Sequence, residues 1–271
     1  MTLSDKTIGF IGGGQMAEAL IRGILEADLM TADRLLVIEP DTRRMHDLQT
    51  RYGVVGIEEP ASLCTACSVV VLAVKPQLAE VVLRQYRSLL SSDHLVLSIM
   101  AGVRLQTLAD GLDHPGRLIR VMPNTPALVL AGASAFSPDL QATREDRDIA
   151  AAIFSAVGTC VEVEEHLLDA VTGLSGSGPG YALTFIEAMI DGGVLAGLPR
   201  TVAEKLVLQT VYGTARLAIA TGEHPAVLKG KVTSPGGTTI AGLRVLENGS
   251  LRGQVMEAIA AATERSRELG G

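Results

Sequence analysis

Six small or flexible residues, Gly12-Gly13-Gly14-Gln15-Met16-Ala17, follow an apolar run that ends at Ile11. The spacing G-x-G-x-x-A suits a strand, a tight turn and a helix in succession, and the chemistry of such a turn is phosphate binding. Gly12 would permit the turn, Gly14 would let the backbone approach a pyrophosphate, and Ala17 would let the helix pack on its strand. Unpaired N–H groups at the helix start would face the phosphates. About twenty residues further on, the next apolar run ends in Glu39, the distance at which an acid meets an adenosine ribose. Ile11, Gly12, Gly13, Gly14, Gln15 and Met16, with Glu39 and Asp41, therefore form a predicted dinucleotide site. Glu39 could bind a ribose 2'-hydroxyl and favour NADH, whereas Arg43 and Arg44 could meet the 2'-phosphate of NADPH. The sequence leaves both readings open.

Three later segments add chemistry at the same edge. Ala73-Val74-Lys75-Pro76 ends an apolar run with a proline stop and a charge, at the end of the sheet where ligands lie in doubly wound folds. Ser98-Ile99-Met100-Ala101-Gly102 ends its run in a segment with small residues that would let a nicotinamide ribose lie against backbone, with Ile99 and Ala101 as candidate contacts. In Met122-Pro123-Asn124-Thr125-Pro126 the two prolines would fix the direction of Asn124.

Two clusters of a different kind lie in the second half, Ser175-Gly176-Ser177-Gly178-Pro179-Gly180 and Thr233-Ser234-Pro235-Gly236-Gly237-Thr238-Thr239. Each is expected to precede a helix. Open N–H groups, hydroxyls and the positive end of a helix dipole suit an anionic oxygen ligand, and a carboxylate is the natural candidate. One Ser or Thr would suffice for capping, so seven small residues in a row point beyond it.

The elements that must position these groups can be read from hydrophobic periodicity. Apolar runs of strand length occur at Thr7 to Ile11, Leu35 to Glu39, Ser68 to Val74, Leu95 to Ile99 and Arg117 to Val121, with helical patterns between the first four. A further strand is expected from Gly158 to Val163. Such alternation predicts a parallel sheet with helices on both faces. Beyond about Glu165 the pattern predicts helices alone, over Pro179 to Leu195, Thr201 to Thr221, Thr238 to Leu246 and Ser250 to Leu269. The Thr201 to Thr221 helix is apolar on nearly every side. Its burial would need a second copy of the chain, since about 100 residues cover such a helix poorly.

Composition excludes other classes. At a formal charge of −7, with aromatic residues at 3%, neither a basic face nor stacking surface for nucleic acid is available. The apolar stretch from Tyr181 to Leu198 is broken by Glu187, Asp191 and paired glycines, against a membrane span. The first residues lack a basic segment followed by an apolar run, so a cytoplasmic protein is expected. Cys64-x-x-Cys67 has no second CxxC or His pair to complete a zinc set, and no metal is expected. Packing at a helix end accounts for that pair.

The segments Val232 to Leu243 and Ala170 to Pro179, together with Ala73 to Pro76 and Met122 to Pro126, closely resemble pyrroline-5-carboxylate reductase, and the resemblance covers essentially the whole chain. It implies an α/β N-terminal Rossmann domain, doubly wound with a mostly parallel sheet, over residues 1–164, and an all-α C-terminal dimerisation and substrate domain over residues 165–271. It implies NADPH or NADH as cofactor, pyrroline-5-carboxylate as substrate and L-proline as product. A homodimer is implied as well, open to assembly into a larger ring such as a decamer. Carried onto this chain, Ser234, Gly236, Gly237, Thr238 and Thr239 would bind the substrate carboxylate. Thr239 would also hydrogen-bond the ring nitrogen as the catalytic residue, Glu165 would sit by the substrate, and Lys231 near the cofactor. Glu39 stands where the family often has a small polar residue, and Pro60 where an asparagine often reaches the cofactor. Other imine or β-hydroxyacid reductases share the plan but usually place a lysine within a late helix, where this chain offers only Lys205 near a helix start.

Overall fold

The structure is a computed structural model that describes residues 3, 5–113 and 116–270. The chain divides into two compact units, one running to Ser177 and taking in the stretch from Ala261 onward, the other spanning Gly178–Ala260.

The first unit is built on one sheet of eight strands among the described residues: β1 (Ile8–Ile11), β2 (Leu35–Ile38), β3 (Val55–Gly56), β4 (Val69–Leu72), β5 (Leu95–Ser98), β6 (Arg117–Met122), β7 (Gly132–Pro138) and β8 (Gly158–Glu162). Their order is β3-β2-β1-β4-β5-β6-β7-β8, parallel throughout except for β6 against β7. The order reverses beside β1, where Ile8 is in register with Leu35 on one side and Val69 on the other. This is the switch point at which doubly wound sheets bind ligands.

Helices α1 (Gln15–Glu26), α2 (Thr42–Tyr52), α3 (Pro60–Ala66), α4 (Ala79–Tyr86), α5 (Leu105–Leu112) and α6 (Arg144–Ser155) form the crossovers. Because successive strand residues point to opposite faces, one apolar run serves two cores. Val69 and Val71 join Leu20, Ile24, Ile153 and Phe154 on one side. Val70 and Leu72 join Leu83, Tyr86, Leu108 and Leu112 on the other. Strands covered on both faces must be apolar at every position, which is why these runs do not alternate.

β3 and β7 were not foreseen. β3 is two residues long, and β7 has the sequence GASAFSP, without the β-branched residues that mark a strand. The strand carboxyl ends also stop a residue or more short of the expected limits at Glu39, Val74 and Ile99, leaving those residues in the loops that face the crevice.

The start of α6 is held by a reciprocal cap. The Thr143 hydroxyl accepts from Asp146 N–H, and the Asp146 carboxylate accepts from Thr143 N–H at 2.8 Å. The same carboxylate, 1% exposed, takes Arg117 Nη1 at 2.9 Å. Asp146→Ala would leave Arg117 without its acid and remove the carboxylate half of the reciprocal cap, the Thr143 hydroxyl still accepting from the backbone N–H of residue 146. A loss of about 3 kcal/mol is expected, read as a lower urea midpoint at fixed protein concentration; an unchanged midpoint would contradict it.

Cys64, in α3, and Cys67, just past its end, are both free and buried among the residues of the second core, beside Leu63. Burial pushes the Cys64 thiol up to about 11, and burial followed by the neighbouring Cys64 pushes Cys67 up to about 12. Burial likewise lifts Cys160 to about 11. Since the thiolate is the nucleophile, and its fraction grows tenfold per pH unit below the pKa, alkylation of the native protein at pH 8 should be at least about tenfold slower than in denaturant, and should quicken as pH rises. Equal rates at pH 8 would refute the packing role.

Past β8 the chain turns through α7 (Leu168–Val171) into a π-helical turn over Thr172–Gly176. The first unit thus runs beyond residue 164. Asp169 anchors it by accepting from Ser266 Oγ at 2.7 Å, with both side chains buried.

The second unit holds α8 (Gly178–Leu195), α9 (Arg200–Thr221), α10 (Pro225–Lys231), α11 (Thr238–Asn248) and the first half of α12 (Leu251–Gly270). α10 adds a helix that periodicity did not foretell, opened by Pro225 and capped by His224. Only Ala203 and Val207 of α9 are buried, while Leu206, Leu208, Tyr212, Leu217 and Ile219 are exposed. No helix among the described residues is long and apolar enough to cross a membrane.

Candidate active site

In the first unit the glycine turn is shaped by contacts that other residues could not make. Gly12 has φ +96°, and a Cβ there would lie 2.8 Å from Ala73 O and 3.0 Å from a Val74 methyl. This left-handed conformation and close approach call for glycine. Gly14, by contrast, caps α1 in an extended conformation, and a Cβ built on it meets nothing within 4 Å. Its side faces open space. The first bond of α1 is donated by Glu18 N to Gly14 O, so the N–H groups before it leave the helix end without helical partners. An anion-binding end with open space above Gly14 fits a pyrophosphate.

Two side chains brace this turn. The Glu39 carboxylate accepts from Gly13 N at 2.8 Å and from Asp41 N at 3.0 Å. Arg44 donates from Nε to Gly13 O at 2.7 Å and from Nη2 to Gly14 O, while binding Glu18 at 2.6 Å. Burial alone would raise the Glu18 carboxyl, but hydrogen bonds from Arg44 and Tyr52 outweigh it and hold the group below its ordinary value. Nothing in the spacing of the sequence marks Glu18 or Tyr52 as parts of this brace. Asp41 caps α2 by accepting from Arg43 N and Arg44 N, and the Arg43 side chain is exposed.

The remaining expected cofactor residues lie along the carboxyl edge of the sheet. Ile11 ends β1 in the core, and Gln15 and Met16 open α1. Ala73 and Val74 back onto Gly12, while Lys75 is exposed and precedes the short 3-10 turn begun by Pro76. Ile99 and Ala101 follow β5, with Ala101 exposed. Asn124 is buried and largely committed: its carbonyl accepts from Ala133 N at 2.8 Å and its amide donates to Ser175 O at 3.0 Å. It ties the β6 end to the π turn.

Glu165 takes Leu105 N at 2.7 Å and the buried Arg120 at 3.2 Å. It lines a cleft of ≈ 720 Å³ with Gln106, Ser137, Asp139 and Glu162, a cleft that includes no residue of the glycine turn. No group of three His, Cys, Asp or Glu among the described residues could hold a metal ion.

The two small-residue clusters behave differently. Ser175 and Gly176 belong to the π turn, and Ser177 N already donates to Thr172 O, so the first cluster is not an open loop ahead of a helix. Small residues serve there to let helical backbone continue through a widened turn.

The second cluster is open. In the second unit Gly237 N donates to Ser234 O, Gly236 has φ +67°, and Gly237 caps α11 without any side-chain bond. A Cβ on Gly237 would overlap Ser234 Oγ. Ser234, Thr238 and Thr239 are exposed, and the N–H groups that begin α11 have no helical partner. Hydroxyls, a glycine hinge and a positive helix end together make an open cradle whose chemistry suits an anionic oxygen ligand. In the same unit Lys231 donates to both oxygens of Glu223 at 2.7 Å.

Comparison with known proteins agrees with this geometry. The family model described as "Pyrroline-5-carboxylate reductase dimerisation" matches residues 165–269, and that described as "NADP oxidoreductase coenzyme F420-dependent" matches residues 7–102. A pyrroline-5-carboxylate reductase of Synechocystis is 49% identical over 97% of this chain and 98% of its own. Among solved structures, the pyrroline-5-carboxylate reductase of Coxiella burnetii superposes with a TM-score of 0.94 at 34% identity, covering 98% of this chain and 99% of that one. The Plasmodium falciparum pyrroline carboxylate reductase, solved with NADP bound, superposes with a TM-score of 0.88 at 33% identity over 99% of each chain. The chain belongs to the pyrroline-5-carboxylate reductase family.

Proposed function

We propose that this oxidoreductase reduces 1-pyrroline-5-carboxylate to L-proline with NADH or NADPH, the last step of proline biosynthesis. The observation that carries the reading is the open Ser234 to Thr239 cradle at the start of α11, in a chain whose other unit bears an open glycine turn. When bound, the reduced nicotinamide supplies a hydride. The protonated imine carbon C5 accepts that hydride, the C=N π pair becomes the nitrogen lone pair, and a proton from water completes the ammonium. No strong acid, base or metal is required of the protein.

What the chain must supply is orientation. The glycine turn and the α1 end hold the pyrophosphate, with Ala73 to Pro76, Ile99 and Ala101 along the same edge. Ser234, Gly236, Gly237 and Thr238 hold the substrate carboxylate. The Thr239 hydroxyl hydrogen-bonds the ring nitrogen as its charge falls. Glu165 beside the substrate and Lys231 near the cofactor complete the proposed set. Fixing C5 against the hydride donor could supply several of the roughly 7–11 kcal/mol available from positioning.

The proposed assembly is a homodimer formed through the helical unit, from which a larger ring such as a decamer could be built. The exposed apolar side chains of α9 support it. The three unpaired cysteines fit a reducing, cytoplasmic setting. Loss of the reduced-nicotinamide absorbance on adding pyrroline-5-carboxylate tests the reaction, and light scattering on the same sample tests the assembly. No oxidation with either cofactor, despite bound dinucleotide, would defeat the first; a fully active monomer would defeat the second.

A further inference from the structure

We infer that Glu39 makes this chain an NADH-preferring enzyme by placing an uncompensated carboxylate where the 2'-phosphate of NADPH would have to lie. The inference rests on the dinucleotide reading of the glycine turn and goes beyond it to the choice between the two cofactors.

Four observations carry it. Glu39 stands just past β2, beside the switch point, and its carboxylate is fastened to the turn by Gly13 N at 2.8 Å and Asp41 N at 3.0 Å. An acid at this place binds the ribose hydroxyls of an unphosphorylated adenosine. Its partners are backbone N–H groups, and among the described residues it makes no ion pair, so its charge stands unneutralised. Arg44, one of the two cations that follow Glu39 at the start of α2, is already bound to Glu18, Asp47 and the carbonyls of Gly13 and Gly14. It could meet a phosphate only by releasing the turn. The N-terminus of α2, whose N–H groups would otherwise be open to an anion, is closed by the Asp41 carboxylate on Arg43 N and Arg44 N. That adds a second negative group at the same place.

Arg43 is the remaining candidate for a 2'-phosphate. It lies exposed on α2, with its backbone N–H spent on Asp41. One solvated guanidinium would have to offset two carboxylates held by backbone N–H groups, Glu39 and Asp41, as well as a phosphate of nearly two charges. Repulsion between like charges a few ångströms apart at a protein surface corresponds to roughly ten- to hundredfold in affinity.

The test is calorimetric titration of the full chain with NADH and with NADPH, repeated with 5'-ADP and 2',5'-ADP to isolate the adenosine end. The wild type is expected to bind NADH and 5'-ADP at least about tenfold more tightly than their 2'-phosphorylated counterparts. Glu39→Gln keeps the length of the side chain and removes its charge, and should bring the two affinities within about threefold, mainly by tightening NADPH. Arg43→Ala should leave NADH ahead. Thermal unfolding of Glu39→Gln without ligand checks that the turn survives, and Glu39→Ser provides a second uncharged variant should it not. Tighter binding of NADPH by the wild type, or an unaltered ratio in both Glu39 variants, would overturn the inference while leaving the reductase reading intact. Binding of neither dinucleotide by the wild type would overturn both.

Discussion

Thr239→Ala is expected to lower turnover by roughly a hundredfold while leaving the dissociation constant for dinucleotide within about twofold. Thr239 is the second residue of α11, exposed at the open end of the cradle, and its hydroxyl is the group proposed to meet the imine nitrogen. That nitrogen passes from cation to neutral amine during hydride transfer, so a fixed donor and acceptor beside it matters more in the transition state than in the bound substrate. A loss seen in kcat and kcat/KM alike marks an interaction of that kind, whereas a rise in KM alone would mark simple binding. The cofactor turn lies in the other unit and should not register the change. Thr239→Ser should recover most of the rate, because it returns the hydroxyl. Equal kcat/KM in the Ala variant and the wild type would remove Thr239 from the mechanism.

Gly14→Val separates folding from cofactor binding. A Cβ on Gly14 meets no protein atom within 4 Å, and the backbone there is extended, with φ −63° and ψ −178°. The fold should therefore accept valine with an unfolding temperature within a degree or two of the wild type. The pyrophosphate would not, because it needs the backbone at close range. Dinucleotide binding should weaken by roughly a hundredfold, about 2.7 kcal/mol. Gly12→Ala makes the contrast: with φ +96° and a carbonyl oxygen 2.8 Å from the added carbon, it should destabilise the apo protein itself. Valine at position 14 with unchanged dinucleotide affinity would place the pyrophosphate elsewhere.

The sequence showed the parts of this site that depend on local spacing. Strand, glycine turn and helix follow one another in a fixed rhythm, and Glu39 sits at the customary distance, so both were legible. So were the apolar strands, because burial on two faces leaves an unbroken run such as Val69 to Leu72. What escaped depends on partners distant in the chain. Arg43 and Arg44 look equivalent as neighbours, yet folding pins Arg44 to Gly13, Gly14 and Glu18 and leaves Arg43 in solvent. Asn124 reads as a residue held toward a ligand, and its side chain bridges Ala133 and Ser175. β7 lacks β-branched residues and takes its place from pairing on both sides, antiparallel to β6 and parallel to β8. Ser175 to Gly180 and Ser234 to Thr239 have similar compositions and both run into a helix, but the first begins inside a π turn whereas the second is an exposed loop ahead of α11.

The central claim is direct hydride delivery to C5 of a carboxylate-bearing cyclic imine, and one isotope experiment addresses it. The enzyme would be supplied with reduced nicotinamide cofactor carrying deuterium on one face of C4, together with pyrroline-5-carboxylate, and the product examined by proton NMR and mass spectrometry. The account predicts L-proline with one deuterium, located at C5, from one of the two cofactor faces and none from the other. Proline without deuterium from either face, or cofactor oxidation without proline, would contradict it.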